Sequence, residues 1–366
     1  MKLTKLRNKF EEVKIDALLI TSGVNRRYLS EFSGDSGWLL ITGDRAILFT
    51  DFTYFERAKN EAKDFTVLQF PSSRKEKIKP LDFLSNEIKK FNIKFLGFEA
   101  DNIIYSFYED MVKKLDSVQL IPTKNLTGKL REIKKPEEIE CIKKASSIAD
   151  EAFKKTMEYL KPGVKESEIR AHINYFIQLF GGFKESFDII IASGPRGAMP
   201  HAKTSDEIIK EGELIIIDYG ASYNGYCSDC TRTLLIGEAD EKQKYIYNLV
   251  ERAQKEALSI IKPGVECKEI DKVARDIFEK EGYKEEFGHS LGHGVGLMVH
   301  EGPSVSATSD EKLEPGMVIT VEPGLYFTGW GGIRIEDMIV ITEQGFELIT
   351  HMPHCLNKKN SKIQIF

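Results

Sequence analysis

Cysteine and long apolar runs are scarce in this chain, and both absences narrow its class. Five cysteines occur among 366 residues, an odd number that argues against a disulfide framework and leads us to expect a cytoplasmic protein. No apolar run approaches the ~20 residues of a membrane-spanning helix. The amphipathic first residues continue into polar sequence, so we expect neither a secretory leader nor a membrane partner.

Positive charge is not in excess either. The chain has 52 Lys and Arg against 57 Asp and Glu, a formal net charge of −5, and no basic stripe. Nucleic acid is therefore not an expected partner. The length favours two or three domains with ample core.

Two patterns of elements divide the chain. Residues 1–125 contain short apolar runs separated by turns, with helix-like stretches at 82–91 and 105–114, which predicts an α/β domain. The runs lie at residues 17–20, 38–41, 46–49, 65–68 and 95–98. A polar linker at 126–136 should precede a second domain, 137–366, and a long helix beginning at Pro136 should open that domain.

A repeat runs through the second domain. The tetrapeptide at residues 161–164, KPGV, recurs at residues 262–265, 101 positions later. In each copy a second helix-like stretch follows (166–179 and 269–281), then a segment rich in Gly and His, then a strand that ends in an acid. The alternative is that a helix-stopping KPG recurs by chance. The matching order of the elements in the two copies instead predicts a duplicated α+β unit about a pseudo-twofold axis.

Two acids stand where a buried strand would carry apolar residues. The β-branched run at 213–218 ends in Asp218, and Asn224-Gly225 is a strong hairpin signal. A two-residue turn there places Asp218 opposite Thr231 and diagonal to Asp229, so both carboxylates point the same way. Two buried acids on one face repel unless a cation lies between them. The alternative is that they are hairpin-edge residues facing water.

A second pair of acids lies in strand-like runs of the same kind. The run at 317–322 ends in Glu322, and the run at 332–341 returns with Glu336 after a glycine-rich turn. Glu336 could instead be a structural partner of Arg334, although that explanation does not account for both glutamates. Together with His293, these four acids have the composition of a site for two divalent metal ions, which can activate water for hydrolysis.

Histidine is rare, with seven residues in all, and four accompany this chemistry. His293 lies between two glycines, which let a backbone approach a ligand closely. His289 and His300 flank it, and His201 occupies the corresponding part of the first repeat. A lone histidine is more often a packing residue than a ligand, and we expect that role, or simple exposure, for the others: His172, His351 and His354.

Cys227 and Cys230 form a C-x-x-C pair that predicts no metal or redox role. A zinc site would require a second pair, which the sequence lacks. A redox motif would precede a helix, whereas this spacing falls in a predicted strand and separates the sulfurs onto opposite faces.

Seven short motifs in the second half resemble those of the Xaa-Pro peptidases, aminopeptidase P and prolidase, in the creatinase/methionine-aminopeptidase ("pita-bread") group. They are PHA at 200–202, IDYG at 217–220, SDCTRT at 228–233, GHGVGL at 292–297, VHE at 299–301, VEPG at 321–324 and GIRIED at 332–337. The first half also resembles this group's smaller creatinase-like domain, in DALLI at 16–20 and TDFTY at 50–54. The resemblance implies an N-terminal α/β domain, a C-terminal pita-bread domain and a homodimer.

The resemblance also implies a role for each site residue. One metal ion would be held by Asp229, His293 and Glu336, and the other by Asp218, Asp229 and Glu336. Glu322 would complete the site as ligand and proton shuttle. His201 and His300 would stabilise the tetrahedral intermediate, and His289 would contact substrate or move a proton. Arg334 would orient a ligand carboxylate. Oxygen-rich ligation favours Mn²⁺ or Co²⁺, with Fe²⁺ or Zn²⁺ possible.

The expected substrates are proline-containing peptides, cleaved between the N-terminal residue and proline. The 14 residues between Glu322 and Glu336 resemble the Xaa-Pro peptidases more than methionine aminopeptidases, and the full ligand set argues against a metal-free creatinase. Many prolidases carry an arginine where this chain has Ser304, so we favour an Xaa-Pro aminopeptidase. The alternatives are a dipeptide-specific prolidase and, more remotely, a non-catalytic peptide-binding relative.

Overall fold

The protein is described by a computed structural model that covers residues 2–71, 79–354 and 363–364. Its contacts divide the chain into two compact units, Met1–Arg131 and Glu132–Phe366. The residues expected to form a polar linker contain a short helix, Leu126–Glu132. Within the described ranges, no helix combines the length and apolar character that crossing a bilayer requires.

The helices and strands are numbered in chain order. The helices are α1 (Lys2–Arg7), α2 (Phe10–Val13), α3 (Gly23–Ser30), α4 (Phe55–Glu61), α5 (Pro80–Lys90), α6 (Tyr105–Lys114), α7 (Leu126–Glu132), α8 (Pro136–Thr156), α9 (Glu166–Leu179), α10 (Glu241–Ser259) and α11 (Cys267–Lys280), with a 3-10 helix at Gly194–Ala198. The strands are β1 (Ala17–Ile20), β2 (Trp38–Thr42), β3 (Ala46–Thr50), β4 (Thr66–Gln69), β5 (Phe95–Glu99), β6 (Gln119–Thr123), β7 (Lys184–Glu185), β8 (Ile190–Ser193), β9 (Leu214–Tyr219), β10 (Ala221–Tyr223), β11 (Tyr226–Cys227), β12 (Cys230–Ile236), β13 (Gly292–Gly294), β14 (Glu301–Val305), β15 (Val318–Val321), β16 (Gly324–Phe327), β17 (Gly331–Arg334), β18 (Asp337–Ile341), β19 (Phe346–Leu348) and β20 (Ile363–Gln364).

The first unit contains one six-stranded mixed sheet, in the order β4-β3-β2-β1-β5-β6. Strands β1, β2 and β3 pair antiparallel, whereas β4, β5 and β6 join by parallel pairings. All five apolar runs expected to be strands are strands, and the expected helices are α5 and α6. The α/β prediction for this unit is therefore confirmed. Strand β6 has no counterpart among those runs, because Pro122 and partly exposed residues interrupt its apolar pattern.

The second unit is built from two copies of one element order. In the first copy α8 and α9 precede β8, β9 and β12, and in the second α10 and α11 precede β13, β15 and β18. Each KPGV turn leads into a bridge just before the second helix, Lys165 with Ile208 in one copy and Glu266 with Lys312 in the other. Each copy also has its own buried apolar cluster. The predicted internal duplication is confirmed.

Local signals place the helices as expected. Pro136 is the first residue of α8, where its missing N–H costs nothing, and the Glu138 carboxylate accepts from the Lys135 N–H at 2.9 Å. Helix α9 begins and ends where the sequence predicts. Helix α11 begins at Cys267, two residues earlier than predicted.

The hairpin that carries Asp218 and Asp229 follows the predicted register. Strand β9 pairs antiparallel with β12, and Asp218 lies opposite Thr231. Asn224 and Gly225 form the turn with positive φ angles of 48° and 82°, and Tyr223 pairs with Tyr226. The hairpin is not one continuous ladder, however. It bends at Gly220, where a Cβ atom would lie 1.9 Å from the Ser228 carbonyl oxygen, and continues in a second sheet, β11-β10-β7.

A buried ion pair links the two copies behind the acids. The Arg232 guanidinium donates to Asp337 at 2.7 Å, and both side chains are almost fully buried. Arg232 also donates to the carbonyls of Glu336 and Met352. Asp337 in turn accepts from Thr350 and Gln254, and its other contact is the His354 ring at 2.7 Å. Strand β12, strand β18 and residues 350–354 are therefore joined by one hydrogen-bond network.

Arg232→Ala should strongly destabilise the protein. The substitution leaves the Asp337 carboxylate buried without its cation, and breaking a buried pair on one side costs about 3–5 kcal/mol. Urea unfolding of the metal-free protein, followed by circular dichroism, measures this loss. Arg252→Ala removes an exposed arginine that pairs with Glu281 at 2.8 Å and should leave the transition unchanged. Equal transitions for the two variants would contradict the assigned role of Arg232.

Candidate metal centre

Four carboxylates meet where the two hairpins break. Asp218 is at the end of β9 and Asp229 precedes β12, while Glu322 follows β15 and Glu336 precedes β18. Asp218 is still paired with Thr231 and Ile190 one residue before β9 ends, whereas the other three carboxylates lie just outside a strand. Asp229 and Glu336 are almost fully buried, and Asp218 and Glu322 are partly covered.

The carboxylates and His293 are close enough to share ions. Three groups of potential ligand atoms lie within 4.8 Å of one another: Asp218, Asp229 and Glu336; His293, Glu322 and Glu336; and Asp229, His293 and His300. The His293 Nε2 atom is 3.2 Å from Glu322 and 3.6 Å from Asp229. All five residues that the sequence predicts as metal ligands are therefore brought together. His300, predicted to contact the reacting peptide, is near enough to be a further ligand.

His293 is held with its free nitrogen towards the acids. Its Nδ1 atom lies 3.1 Å from the Gly294 carbonyl oxygen, which can only accept, so the ring proton sits on Nδ1. In the metal-free protein Nε2 can carry a second proton and donate it to Glu322 at 3.2 Å, and loss of that proton would make the Nε2 lone pair available to a metal ion. The neighbouring glycines allow this approach. A Cβ atom at Gly292 would lie 2.1 Å from the Thr320 carbonyl oxygen, and one at Gly294 would lie 2.0 Å from that of Gly302.

Among the described residues, Arg334 is the only arginine or lysine that forms an ion pair with one of these acids. Its guanidinium donates to Asp218 at 2.7 Å and to Thr231 at 3.0 Å, and the Thr231 hydroxyl donates to Glu336 at 2.7 Å. A second branch runs from Arg334 to the Tyr326 hydroxyl, also at 3.0 Å. Arginine thus fixes two of the carboxylates from behind, in the position that the sequence predicts for it.

Tyr326 connects this arginine to His289. The His289 Nδ1 atom is 2.8 Å from the Ser290 carbonyl and therefore carries a proton, which leaves Nε2 to accept from the Tyr326 hydroxyl at 3.0 Å. Sequence reasoning missed Tyr326, and nothing in its apolar surroundings marks it out. It also missed Thr231 and Thr320. Thr231 could have been found from the hairpin register, because it lies directly opposite Asp218.

Burial and mutual repulsion make the acid cluster electrostatically costly. Loss of solvation raises the pKa of Asp229 well above its ordinary value, and the charges of Glu336 and Asp218 raise it further. The pKa of Glu336 is raised in the same way, by burial and by Glu322. Burial also disfavours the charged form of Glu322, but its hydrogen bond with His293 outweighs this and lowers the pKa of Glu322 to about 2. A bound cation would offset most of this electrostatic cost.

The donor set fits divalent metal ions. Asp218 Oδ1 and Glu336 Oε1 are buried oxygens with no hydrogen-bond partner among the described residues. Such atoms are costly unless an ion satisfies them. Carboxylate oxygens and one or two imidazoles are ligands that first-row divalent metals accept.

A cavity of about 640 Å³ opens onto the acids. His201, His289, His293 and His300 all line it, together with Arg334 and the four carboxylates. The rings of His293 and His300 are 4.2 Å apart, nearly edge to face. Burial lowers the pKa of His289 and of His300, and the charge of His293 lowers that of His300 further. These two rings therefore favour the neutral form, with one N–H to donate.

Among the described residues, the remaining histidines and cysteines belong to none of the candidate ligand groups. His172 stacks on Tyr159 at 3.9 Å, and His354 belongs to the Asp337 network. Cys227 and Cys230 are free thiols at the ends of different strands. Neither belongs to a candidate ligand group in the described part of the chain. Cys355 lies outside the described residues.

Comparisons with known proteins place this geometry in context. The sequence profile of metallopeptidase family M24 matches residues 140–343, and that of the creatinase/prolidase N-terminal domain matches residues 2–133. An Xaa-Pro dipeptidase of Pyrococcus horikoshii is 42% identical over 95% of this chain and 96% of its own length. The structure resembles an Xaa-Pro dipeptidase from Bacillus anthracis, with a TM-score of 0.92 and 43% identity over 96% of this chain and 97% of the other. It also resembles an X-Pro aminopeptidase from Thermotoga maritima, with a TM-score of 0.87 and 37% identity over 94% and 98%.

Asp229→Asn should change how the stability of the metal-free protein depends on pH. The folded-state pKa of Asp229 lies above its ordinary value of 3.8. Its contribution to stability is therefore full below that pH and is lost as pH rises towards the folded-state pKa. With chelator present, the unfolding temperature of the wild type should fall more steeply than that of the variant as the pH is raised from 3.8 to a higher pH. Added Mn²⁺ should raise the wild-type unfolding temperature at the upper pH and leave the variant almost unchanged.

Glu343→Gln removes an exposed carboxylate after β18 and serves as the matched control. Its pH profile should follow the wild type. If the Asp229→Asn profile also ran parallel to the wild type, the repulsion attributed to the cluster would be absent.

Proposed function

The chain belongs to metallopeptidase family M24, and we propose that it is an exopeptidase that hydrolyses the bond between an N-terminal residue and a following proline. The observation that carries the proposal is the meeting of four carboxylates and His293 at the floor of an open cavity. The substrate class is supported by relatives named Xaa-Pro dipeptidase and X-Pro aminopeptidase that match nearly the full length of the chain.

Two divalent ions are proposed for each subunit. Asp229, His293 and Glu336 would hold one, and Asp218, Asp229 and Glu336 the other, with Glu322 completing the set. When bound, such ions supply a water of lowered pKa and polarise the carbonyl of the scissile bond. Mn²⁺ or Co²⁺ suits a set dominated by carboxylate oxygens, with Fe²⁺ and Zn²⁺ as alternatives.

The chain's own side chains then handle protons and orientation. Glu322 is held by the Thr320 hydroxyl at 3.0 Å, so its carboxylate is positioned to take a proton from water and pass it to the leaving proline nitrogen. His201 and His300 face the cavity and would donate hydrogen bonds to the carbonyl oxygen as negative charge develops there. Arg334 and Tyr326 keep Asp218 and His289 in place for this step.

The length of the peptide substrate distinguishes a dipeptidase from an aminopeptidase. The absence of a cation at Ser304 favours an aminopeptidase that accepts longer peptides, whereas the names of the relatives favour a dipeptidase. We infer that dipeptides are hydrolysed and keep the aminopeptidase as the second candidate. A homodimeric state and a cytoplasmic location remain predictions from the sequence.

The Mn²⁺-loaded protein should release alanine from the dipeptide Ala-Pro and, with a lower kcat/KM, from the tripeptide Ala-Pro-Ala. Chromatographic detection of free alanine measures both rates. A faster tripeptide would identify the aminopeptidase. No release from either peptide with Mn²⁺ or Co²⁺ would reject the proposed reaction and favour a peptide-binding protein.

Asp229→Ala, which removes a proposed bridging ligand, should lose both bound metal and turnover. Retention of both would show that the bridge is wrongly assigned.

His300→Ala should lower kcat by about 10²-fold while the metal content stays the same, because loss of one hydrogen bond to a developing oxyanion costs about that much. Metal content is measured by elemental analysis after gel filtration. Since the His300 ring lies within ligand distance of Asp229 and His293, the result separates two roles. Loss of one ion together with activity would make His300 a ligand.

A further inference from the structure

Two cationic side chains line the cavity besides the residues assigned above. Arg170 projects from α9, and Lys203 lies in the loop that carries His201. Neither forms an ion pair with the four carboxylates or with any other acid among the described residues. Their role is therefore not to neutralise the metal centre.

Arg170 is unusual among the nearby arginines because it lacks a partner. Its neighbours on α9, Ile169 and Ile173, are fully buried in the apolar cluster, and Arg170 itself is half-buried. Within the part of the chain that the structure describes, its guanidinium makes no hydrogen bond or ion pair. Arg196, by contrast, is paired with Glu166 at 3.2 Å, and Arg334 with Asp218. Because its guanidinium has no acid partner among the described residues, Arg170 is free to bind a carboxylate that enters the cavity.

Lys203 is presented by a loop fixed on both sides. The next residue, Thr204, donates to the Ile189 carbonyl at 2.7 Å and accepts from the Ile191 N–H at 2.9 Å. The Lys203 carbonyl accepts from Arg196. The backbone is therefore held at Lys203, an exposed residue that lines the cavity. Preorganisation of this kind reduces the entropy lost on binding.

Arg170 and the residues at 187–190 and 200–204 form one wall of the cavity, and this wall has little negative charge. Among the lining residues at 187–190 and 200–204, Asp188 is the one acid. It is exposed and forms no ion pair with Arg170 or Lys203 in the described structure. The wall therefore has a net positive charge, and Ser304, which also lines the cavity, adds none.

We propose that Arg170 and Lys203 form a subsite for a carboxylate of the substrate. The inference rests on the proposed function and defines its substrate more narrowly. The carboxylate belongs either to the C-terminus of a dipeptide or to an acidic side chain in the residue before proline. A planar guanidinium binds a carboxylate through paired hydrogen bonds, and an ammonium group adds a second positive charge.

This subsite gives the cavity the charge distribution of a small zwitterion. The carboxylates and metal ligands form one region, and the cationic wall forms another. A fully extended dipeptide spans about 7 Å, short enough for its amino group and its carboxylate to be enclosed together in a cavity of about 640 Å³. Electrostatic complementarity of this type selects orientation more than it adds raw affinity.

Three substrates test the inference on the Mn²⁺-loaded, full-length protein: Ala-Pro with a free carboxylate, Ala-Pro-amide with none, and Glu-Pro-amide with only an acidic side chain. The variants are Arg170→Gln, Lys203→Gln and the double substitution. Lys165→Gln is the matched control, because Lys165 precedes α9, pairs with Asp206 at 3.5 Å and does not line the cavity. Arg170→Lys tests whether charge alone is enough.

The double variant should raise KM about tenfold or more for a carboxylate substrate, with kcat and the rate on Ala-Pro-amide within about twofold of wild type. A loss confined to Ala-Pro identifies the terminal carboxylate, and a loss confined to Glu-Pro-amide identifies the side chain. In the wild type, KM for the affected substrate should rise with salt, and this dependence should flatten in the variant. Arg170→Lys should recover part of the loss.

Unchanged KM values for both carboxylate substrates in the double variant would overturn the subsite. An equal loss on all three substrates would also overturn it, because a structural defect does not discriminate between them. Failure of the wild type to cleave any of the three would instead reject the proposed reaction. The two inferences can therefore fail separately.

Discussion

The repulsion among four carboxylates in one partly dry centre is the constraint on which the rest of this structure depends. Burial and mutual charge raise the pKa of Asp229 and Glu336. In the described part of the chain, Arg334 is the one arginine or lysine paired with any of the four acids, and its ion pair is with Asp218. Such a cluster is unfavourable in an isolated chain and favourable only when positive charge is added to it. Hydrogen bonds from Thr231 to Glu336 and from Thr320 to Glu322 orient two of the acids, so that the added charge meets a preformed set of ligands.

The hairpins resolve a conflict between strand and ligand. A strand interior places alternate side chains in an apolar core, where burial of a carboxylate is energetically unfavourable. Each hairpin therefore stops, bends and resumes in a second sheet, with two carboxylates at or beside the break. Gly220 permits this bend in the first copy because the Ser228 carbonyl occupies the space of a side chain. Gly324, opposite Arg334 in the second copy, occupies the corresponding position.

Much of this arrangement can be predicted from the sequence, and the features that could not be predicted have physical reasons. Register follows from the Asn224-Gly225 turn, because two-residue turns fix the pairing of both arms. The break before Asp229 does not follow, since no glycine or proline within residues 226–236 marks an interruption of the predicted strand. Tyr326 was missed because one hydroxyl in an apolar run carries no periodic signal. Arg170 was missed because a cation on a helix usually marks a solvated face, and only the folded cavity shows that it lies elsewhere.

Duplication explains why the centre lies between the copies and not within either one. Each copy supplies one broken hairpin, and two acids alone would hold a single ion poorly. Strand β12 contacts the β17–β18 junction through Thr231, Thr233 and Arg232, so the hairpins reach ligand distance only when both apolar clusters have formed. The Arg232–Asp337 pair lies directly behind Glu336 and couples the same two strands. Ligand geometry is therefore set by the packing of the whole second unit, and a core defect in either copy would be expressed as a displaced carboxylate at the centre.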